Sequence, residues 1–130
     1  MKLIKWVMLV VTFTLVGCAN HTSGLAISSD GNVRADNSSL AREVATSDAR
    51  ARMVGDIMQG SVVISSKVST DMRLQYKFTW YDISGFVIDE QANSWQSATL
   101  HGMQNIQVTS VAPNATATRF EVYVRKAFSN

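Results

Sequence analysis

Met72, Leu74, Tyr76, Phe78 and Trp80 alternate with Arg73, Gln75, Lys77, Thr79 and Tyr81. Successive side chains of a strand point to opposite faces, so this period of two predicts a long strand with one buried apolar face and one wetter face. Val62, Ile64, Ser66 and Val68 repeat the pattern upstream. Ile106 with Val108, and then Phe120, Val122 and Val124, repeat it downstream. Ser69-Thr70-Asp71, Asp82-Ile83-Ser84-Gly85, His101-Gly102-Met103-Gln104 and Ala112-Pro113-Asn114 separate these runs as turns. Glycine supplies a positive φ there, and proline, with no N–H for a ladder, suits a strand end. A lone sheet would leave the Met72–Trp80 face uncovered. The pattern therefore predicts an all-β fold, an immunoglobulin-like antiparallel β-sandwich of about six to seven strands.

Towards the N-terminus the pattern weakens. Val44, Asp48 and Val54 build no helical stripe, so the reading is one short strand near Arg42–Thr46 and another near Arg50–Val54. The stretch from Asn20 to Ser39 is rich in Ser, Asn, Asp and Gly and buries too little to offset its ordering entropy. It reads as a flexible tether averaging about 25 Å end to end, with a first strand through Leu25–Ile27 as the competing reading. At the start, Lys2 and Lys5 flank the apolar run Trp6–Val16, eleven residues long. A permanent helical span needs about 20 such residues, so the run matches the core of an export signal. Leu15-Val16-Gly17-Cys18 resembles the lipobox of bacterial lipoproteins, which implies cleavage before Cys18 and acylation of its sulfur. The predicted organisation is a signal over 1–17, lipidated Cys18 and tether over 18–39, and a sandwich over 40–130.

Charge and cysteine content sharpen this picture. The net charge of +2 resides in Lys2 and Lys5; the remaining chain balances ten Lys/Arg against ten Asp/Glu. That balance gives no electrostatic case for nucleic acid. One cysteine excludes an internal disulfide, and acylation would consume its thiol. The membrane is thus an expected partner through the lipid anchor. Ala19, in place of the aspartate that resembles an inner-membrane retention signal, points to the outer membrane of a Gram-negative envelope, with the domain facing the periplasm.

Leu74-Gln75-Tyr76-Lys77-Phe78-Thr79-Trp80-Tyr81-Asp82, with Gly85, Trp95, Val111-Ala112-Pro113 and Phe120-Glu121-Val122-Tyr123-Val124-Arg125, resembles the YcfL-like family of small envelope lipoproteins. The resemblance spans residues 42–126. It implies an immunoglobulin-like sandwich, an envelope location and a link to peptidoglycan or outer-membrane machinery, and it carries over no catalytic residue.

The residues themselves offer little for catalysis. His21 and His101 stand apart, there is no second thiol for zinc, and neither a Gly-x-Ser-x-Gly elbow nor a glycine-rich phosphate loop occurs. Asp82, Asp89 and Glu90 form the nearest thing to paired carboxylates; turn-shaping and solvated charge account for them more simply. No catalytic, metal or cofactor site is expected. Tyr81 and Tyr123 are out of phase with the apolar stripes and so point outward, and Trp95 sits in a polar stretch. These three aromatics are the candidate contacts for an envelope protein partner; the competing reading folds Trp95 back over one end of the core as a plug. A small-ligand or glycan-binding domain is the alternative and requires a concave pocket at Trp95.

Overall fold

The computed structural model describes residues 24–89 and 94–127. The export signal, Cys18, the first residues of the expected tether and Glu90 lie outside them. Eight strands and one helical turn follow in order: β1 (Leu25–Ser28), β2 (Val33–Ala35), α1 (Ser38–Ala41), β3 (Val44–Val54), β4 (Ile57–Ser66), β5 (Met72–Tyr81), β6 (Gln96–Leu100), β7 (Asn105–Val111) and β8 (Arg119–Lys126). They form two antiparallel sheets, a five-stranded one in the order β2-β1-β8-β5-β6 and a three-stranded one in the order β3-β4-β7.

The alternating runs do what their period dictates. Leu74, Phe78 and Trp80 of β5, Phe120, Val122 and Val124 of β8, and Val62 and Ile64 of β4 meet in one core. Phe120 packs at 5.5 Å from the Phe78 ring and 5.3 Å from the Trp80 ring. Its own ring faces Gly60 of the opposite sheet, where an added Cβ would sit 2.5 Å from Cε2. The glycine is therefore the slot that admits the phenyl ring between the sheets.

Two sequence expectations need correction. The tether assigned to 18–39 does not extend over residues 24–39, which fold as β1, β2 and α1. β1 lies between β2 and β8 and pairs with both, so its backbone is satisfied on each edge. Leu25 and Ile27 enter the core, and Ala26 on the opposite face is also buried. Asn37 caps α1 by accepting from the N–H groups of Ser39 and Leu40 at 3.0 and 3.1 Å, which drops Leu40 into the core. The described fold thus includes the residues from Gly24 onward, and the strands among the described residues number eight where six or seven were expected.

The two short strands expected near 42–46 and 50–54 are one strand, β3, whose register on β4 slips between Ser47 and Arg50. Asp48 takes a φ of 54° at this bulge. The extra residue inverts the phase: Val44 and Thr46 before it are buried, and Ala51 and Met53 after it fall opposite Gly60 and Met58 in the same phase, yet lie beyond the core and are exposed.

Thr46 is buried and its hydroxyl has no hydrogen-bond partner among the described residues; the same holds for the Trp80 indole N–H. A buried hydroxyl without a partner is a net cost, and valine fills nearly the same volume in a strand. Thr46→Val is expected to stabilise the domain by about 1 kcal/mol. The check is a urea midpoint that rises with unchanged slope; a lower midpoint would show that the hydroxyl is satisfied.

Candidate functional site

Residues out of phase with the core cover the outer face of the five-stranded sheet. Register places Arg34 of β2, Ala26 of β1, Tyr123 of β8 and Lys77 of β5 side by side in one row across four strands. Trp95, just before β6, extends that row, because Gln96 pairs with Tyr76. The small methyl of Ala26 leaves room for its neighbours to meet above it. The Arg34 guanidinium stands 5.7 Å from the Tyr123 ring centre and donates to the Tyr123 hydroxyl at 3.5 Å. Tyr123 in turn donates to Asp36 at 2.7 Å.

On the other side of Tyr123, the Trp95 ring stacks at 6.3 Å with an interplanar angle of 27°. The Arg125 guanidinium lies 3.6 Å from the Trp95 ring centre, and the Lys77 ammonium lies 5.2 Å from it. Gln75 holds Arg125 in place by accepting from its Nε at 2.9 Å. Further along the same face, Arg119 sits 4.2 Å over the Tyr81 ring, its direct cross-strand partner. Cations over aromatic faces of this kind attract through the ring quadrupole.

Of the three aromatics singled out from the sequence, the fold brings Trp95 and Tyr123 together and leaves Tyr81 in a second cation–ring pair near the far end of β5. All three are half-buried. The cations that join them had no mark in the sequence beyond strand phase. Arg34, Arg73, Lys77, Arg119 and Arg125 share the outer face with Glu121 and with Asp36 just past β2, and Arg34 engages both carboxylates at 3.3 Å. The charge balance of the chain thus conceals a sheet face of net positive charge.

The tyrosines on this face are tuned by it. The hydrogen bond to Asp36, and then burial, raise the Tyr123 pKa above its ordinary 10.0. Burial, and then the charge of Glu121, do the same for Tyr81. A raised folded value means that the folded state holds the phenolic proton more tightly. The resulting stabilisation is complete below pH 10.0 and is lost as pH climbs through the raised value. Tyr123→Phe is expected to cost roughly 0.5–1 kcal/mol, because the bonds lost are partly exposed. Ultraviolet titration should then lose amplitude from its late-ionising phase, leaving the contribution of Tyr81; amplitude lost from the early phase instead would show that Tyr123 ionises normally.

Of the candidate carboxylates, Asp82 and Asp89 lie among the described residues and Glu90 does not. Asp82 accepts from the N–H groups of Ser84 and Phe86 at 2.9 and 3.0 Å and so locks its own turn. Asp89 is exposed. An open groove of about 440 Å³ occurs on the outer face of the three-stranded sheet, walled by Arg50, Arg52, Gln59 and Gln107 and floored by Ser61 and Thr109. It contains no aromatic ring and lies away from Trp95.

No match is found among curated proteins. A crystal structure at 1.81 Å resolution of a DUF1425 family member from Shewanella sp. pv-4 is 48% identical to this chain. It covers 82% of this chain and 99% of its own length, with a TM-score of 0.63. A crystal structure of Campylobacter jejuni cj0090 covers 62% of this chain and 83% of its own at 20% identity and a TM-score of 0.54, a likeness of fold alone. A family model matches residues 31–126, and the chain belongs to the family described as protein of unknown function, DUF1425.

Proposed function

We propose that this protein is a non-enzymatic envelope lipoprotein, anchored through Cys18 and facing the periplasm, that docks a partner protein on the outer face of its five-stranded sheet. The observation that carries the reading is the composition of that face: five cations against two carboxylates, Glu121 and Asp36, interleaved with Trp95, Tyr123 and Tyr81. Tyr, Trp and Arg are the residue types that dominate binding energy at protein contacts. A face of net positive charge selects a partner of opposite sign, here an acidic protein surface, and speeds their encounter. The rings and guanidinium groups are already held in place by one another, which reduces the entropy lost on docking. The lipobox-like run ending at Cys18 supports the anchor, and the YcfL-like resemblance supports a role beside peptidoglycan or outer-membrane machinery.

The glycan-binding alternative is less well supported. Sugar stacking needs a free aromatic face at a concavity, whereas the Trp95 indole is stacked by Arg125 and the groove lies on the other sheet.

A photo-crosslinking side chain at Thr79, outward on β5 between Tyr81 and Lys77, tests the proposal in intact cells. Discrete protein adducts are expected. Tyr123→Ala with Arg125→Glu should remove them, since loss of a docking hot spot costs about 2 kcal/mol or more, roughly 30-fold in affinity. Arg50→Glu on the opposite sheet should leave them intact. Adducts that ignore the face variants, or none at all, would overturn the docking role, and adducts that dissolve on glycan digestion would favour the alternative.

A further inference from the structure

We propose that the end of the sandwich where Gly24 enters is a membrane-contact surface, resting on the anionic phospholipid headgroups of the leaflet that holds the anchor. The inference rests on the lipidation of Cys18 proposed above. It starts from chain length: six steps separate Cys18 from Gly24, and even fully extended they reach only about 20 Å. Gly24 is fixed in the fold from the outset. Its carbonyl accepts from the Asp36 N–H at 2.8 Å, and a Cβ on it would strike the Val124 carbonyl. From Gly24 onward, the residues expected to form the tether are instead spent on β1, β2 and α1. An acylated Cys18 therefore keeps this end of the domain beside the lipid surface.

The chemistry of that end suits the neighbour it would have. The turns 67–71 and 101–104, the corner after α1 and the end of β8 gather there. The Lys67 N–H donates to the Glu43 carbonyl at 2.8 Å, the Met103 N–H to the Val68 carbonyl at 2.8 Å, and Lys126 pairs with Glu43 at 3.0 Å. Along the strand direction the described charges divide unevenly. The part nearer Gly24 holds Arg42, Lys67, Arg73, Arg125 and Lys126 against Asp36, Glu43 and Asp71, while Arg34 and Lys77 occupy the mid-strand row, where Arg34 pairs with Glu121. The far part holds Arg50, Arg52 and Arg119 against Asp30, Asp48, Asp56, Asp82 and Asp89. The molecule is thus basic towards its anchored end and acidic away from it.

At the near end both turn acids are engaged, Glu43 by Lys126 and Asp71 by His101 at 3.3 Å, while Arg42, Lys67 and Arg73 are exposed. At the same end Met103, at a φ of 59°, is 64% exposed. Its turn is rigid, because Gly102 fits against the Ser69 carbonyl with no room for a Cβ. An apolar side chain raised among cations is the arrangement that settles into the headgroup–acyl boundary of an anionic leaflet.

The experiment uses the full lipidated chain, labelled with palmitate and reconstituted in vesicles of phosphatidylethanolamine and phosphatidylglycerol carrying a nitroxide-headgroup lipid. Acylation leaves the sulfur of Cys18 unreactive, so Met103→Cys supplies a single fluorophore site, with Ser69→Cys as a second site on the same end and Ile83→Cys at the far end. Quenching at 103 and 69 but not at 83 is expected. Arg42→Gln with Lys67→Gln should lower the docked-to-undocked ratio about 25-fold, at about fivefold per basic residue. Palmitate incorporated with equal quenching at all three sites, or quenching unchanged when the vesicles are wholly zwitterionic, would overturn the contact while leaving the anchor standing. Absence of palmitate would remove the anchor reading itself, and the contact with it.

Discussion

Phe120→Ala is expected to cost about 3–5 kcal/mol, the range for deleting a fully buried aromatic ring. Phe120 is 0% exposed and makes the contact that joins the layers, touching Phe78 and Trp80 on its own sheet and Gly60 on the other. Total stability of a domain this size is about 5–15 kcal/mol, so the variant retains a small margin, with a melting temperature lowered by roughly 15–30 °C. Gly60 supplies a more discriminating measurement. In the native background Gly60→Ala forces its methyl to within 2.5 Å of the Phe120 ring, and overpacking of this kind costs about 1–3 kcal/mol. In the Phe120→Ala background the same methyl enters the vacated space and gains the better strand propensity of alanine. The second substitution should therefore be neutral or favourable there, a coupling of about 1–3 kcal/mol between the sites. Strict additivity would show that the ring does not occupy the slot above Gly60.

How much of this was legible in the sequence follows from how each strand is buried. β5 and β8 bury one face and expose the other, so Met72–Trp80 and Phe120–Val124 carry a clean period of two. β1 is buried on both faces over its first three residues, and a four-residue strand with no alternation leaves no period to detect. Its surroundings, Ser, Asn, Asp and Gly, are the residues of the turns that flank it; averaged together they looked like tether. β3 hid for a different reason. A bulge at Asp48 inverts the phase halfway along, and a strict period of two reads the two halves as separate strands.

The candidate site shows the same division. Strand phase gave the outward direction of Tyr81 and Tyr123. It gave no hint that Trp95 would reach them, because that depends on β6 pairing with β5 so that Trp95 follows in the row of Lys77 and Tyr123. Composition was a poorer guide still. Ten charges of each sign average to nothing, but the cations occupy strand faces and the carboxylates mostly occupy turns. Segregation of that kind exists only after register has been set.

Cys18→Ser should abolish palmitate incorporation and leave the seventeen leading residues uncleaved. The magnitudes decide what holds the domain at the membrane. Each buried CH₂ contributes about 0.8 kcal/mol, so two or more acyl chains hold essentially permanently. A basic residue near an anionic leaflet contributes about 1 kcal/mol, and salt near 1 M shortens its reach to about 3 Å. On the proposed anchoring, the basic end would orient a domain that the acyl chains retain, being too weak to retain it by itself. A chain beginning at Gly24, made without any leader, should accordingly remain in the soluble fraction at physiological salt. The 48% identical Shewanella chain, which corresponds to 82% of this one, shows that a unit of about this extent crystallises as a folded body. Stable, salt-resistant recovery of that leaderless chain with lipid would mean that protein surface, and no fatty acid, makes the attachment.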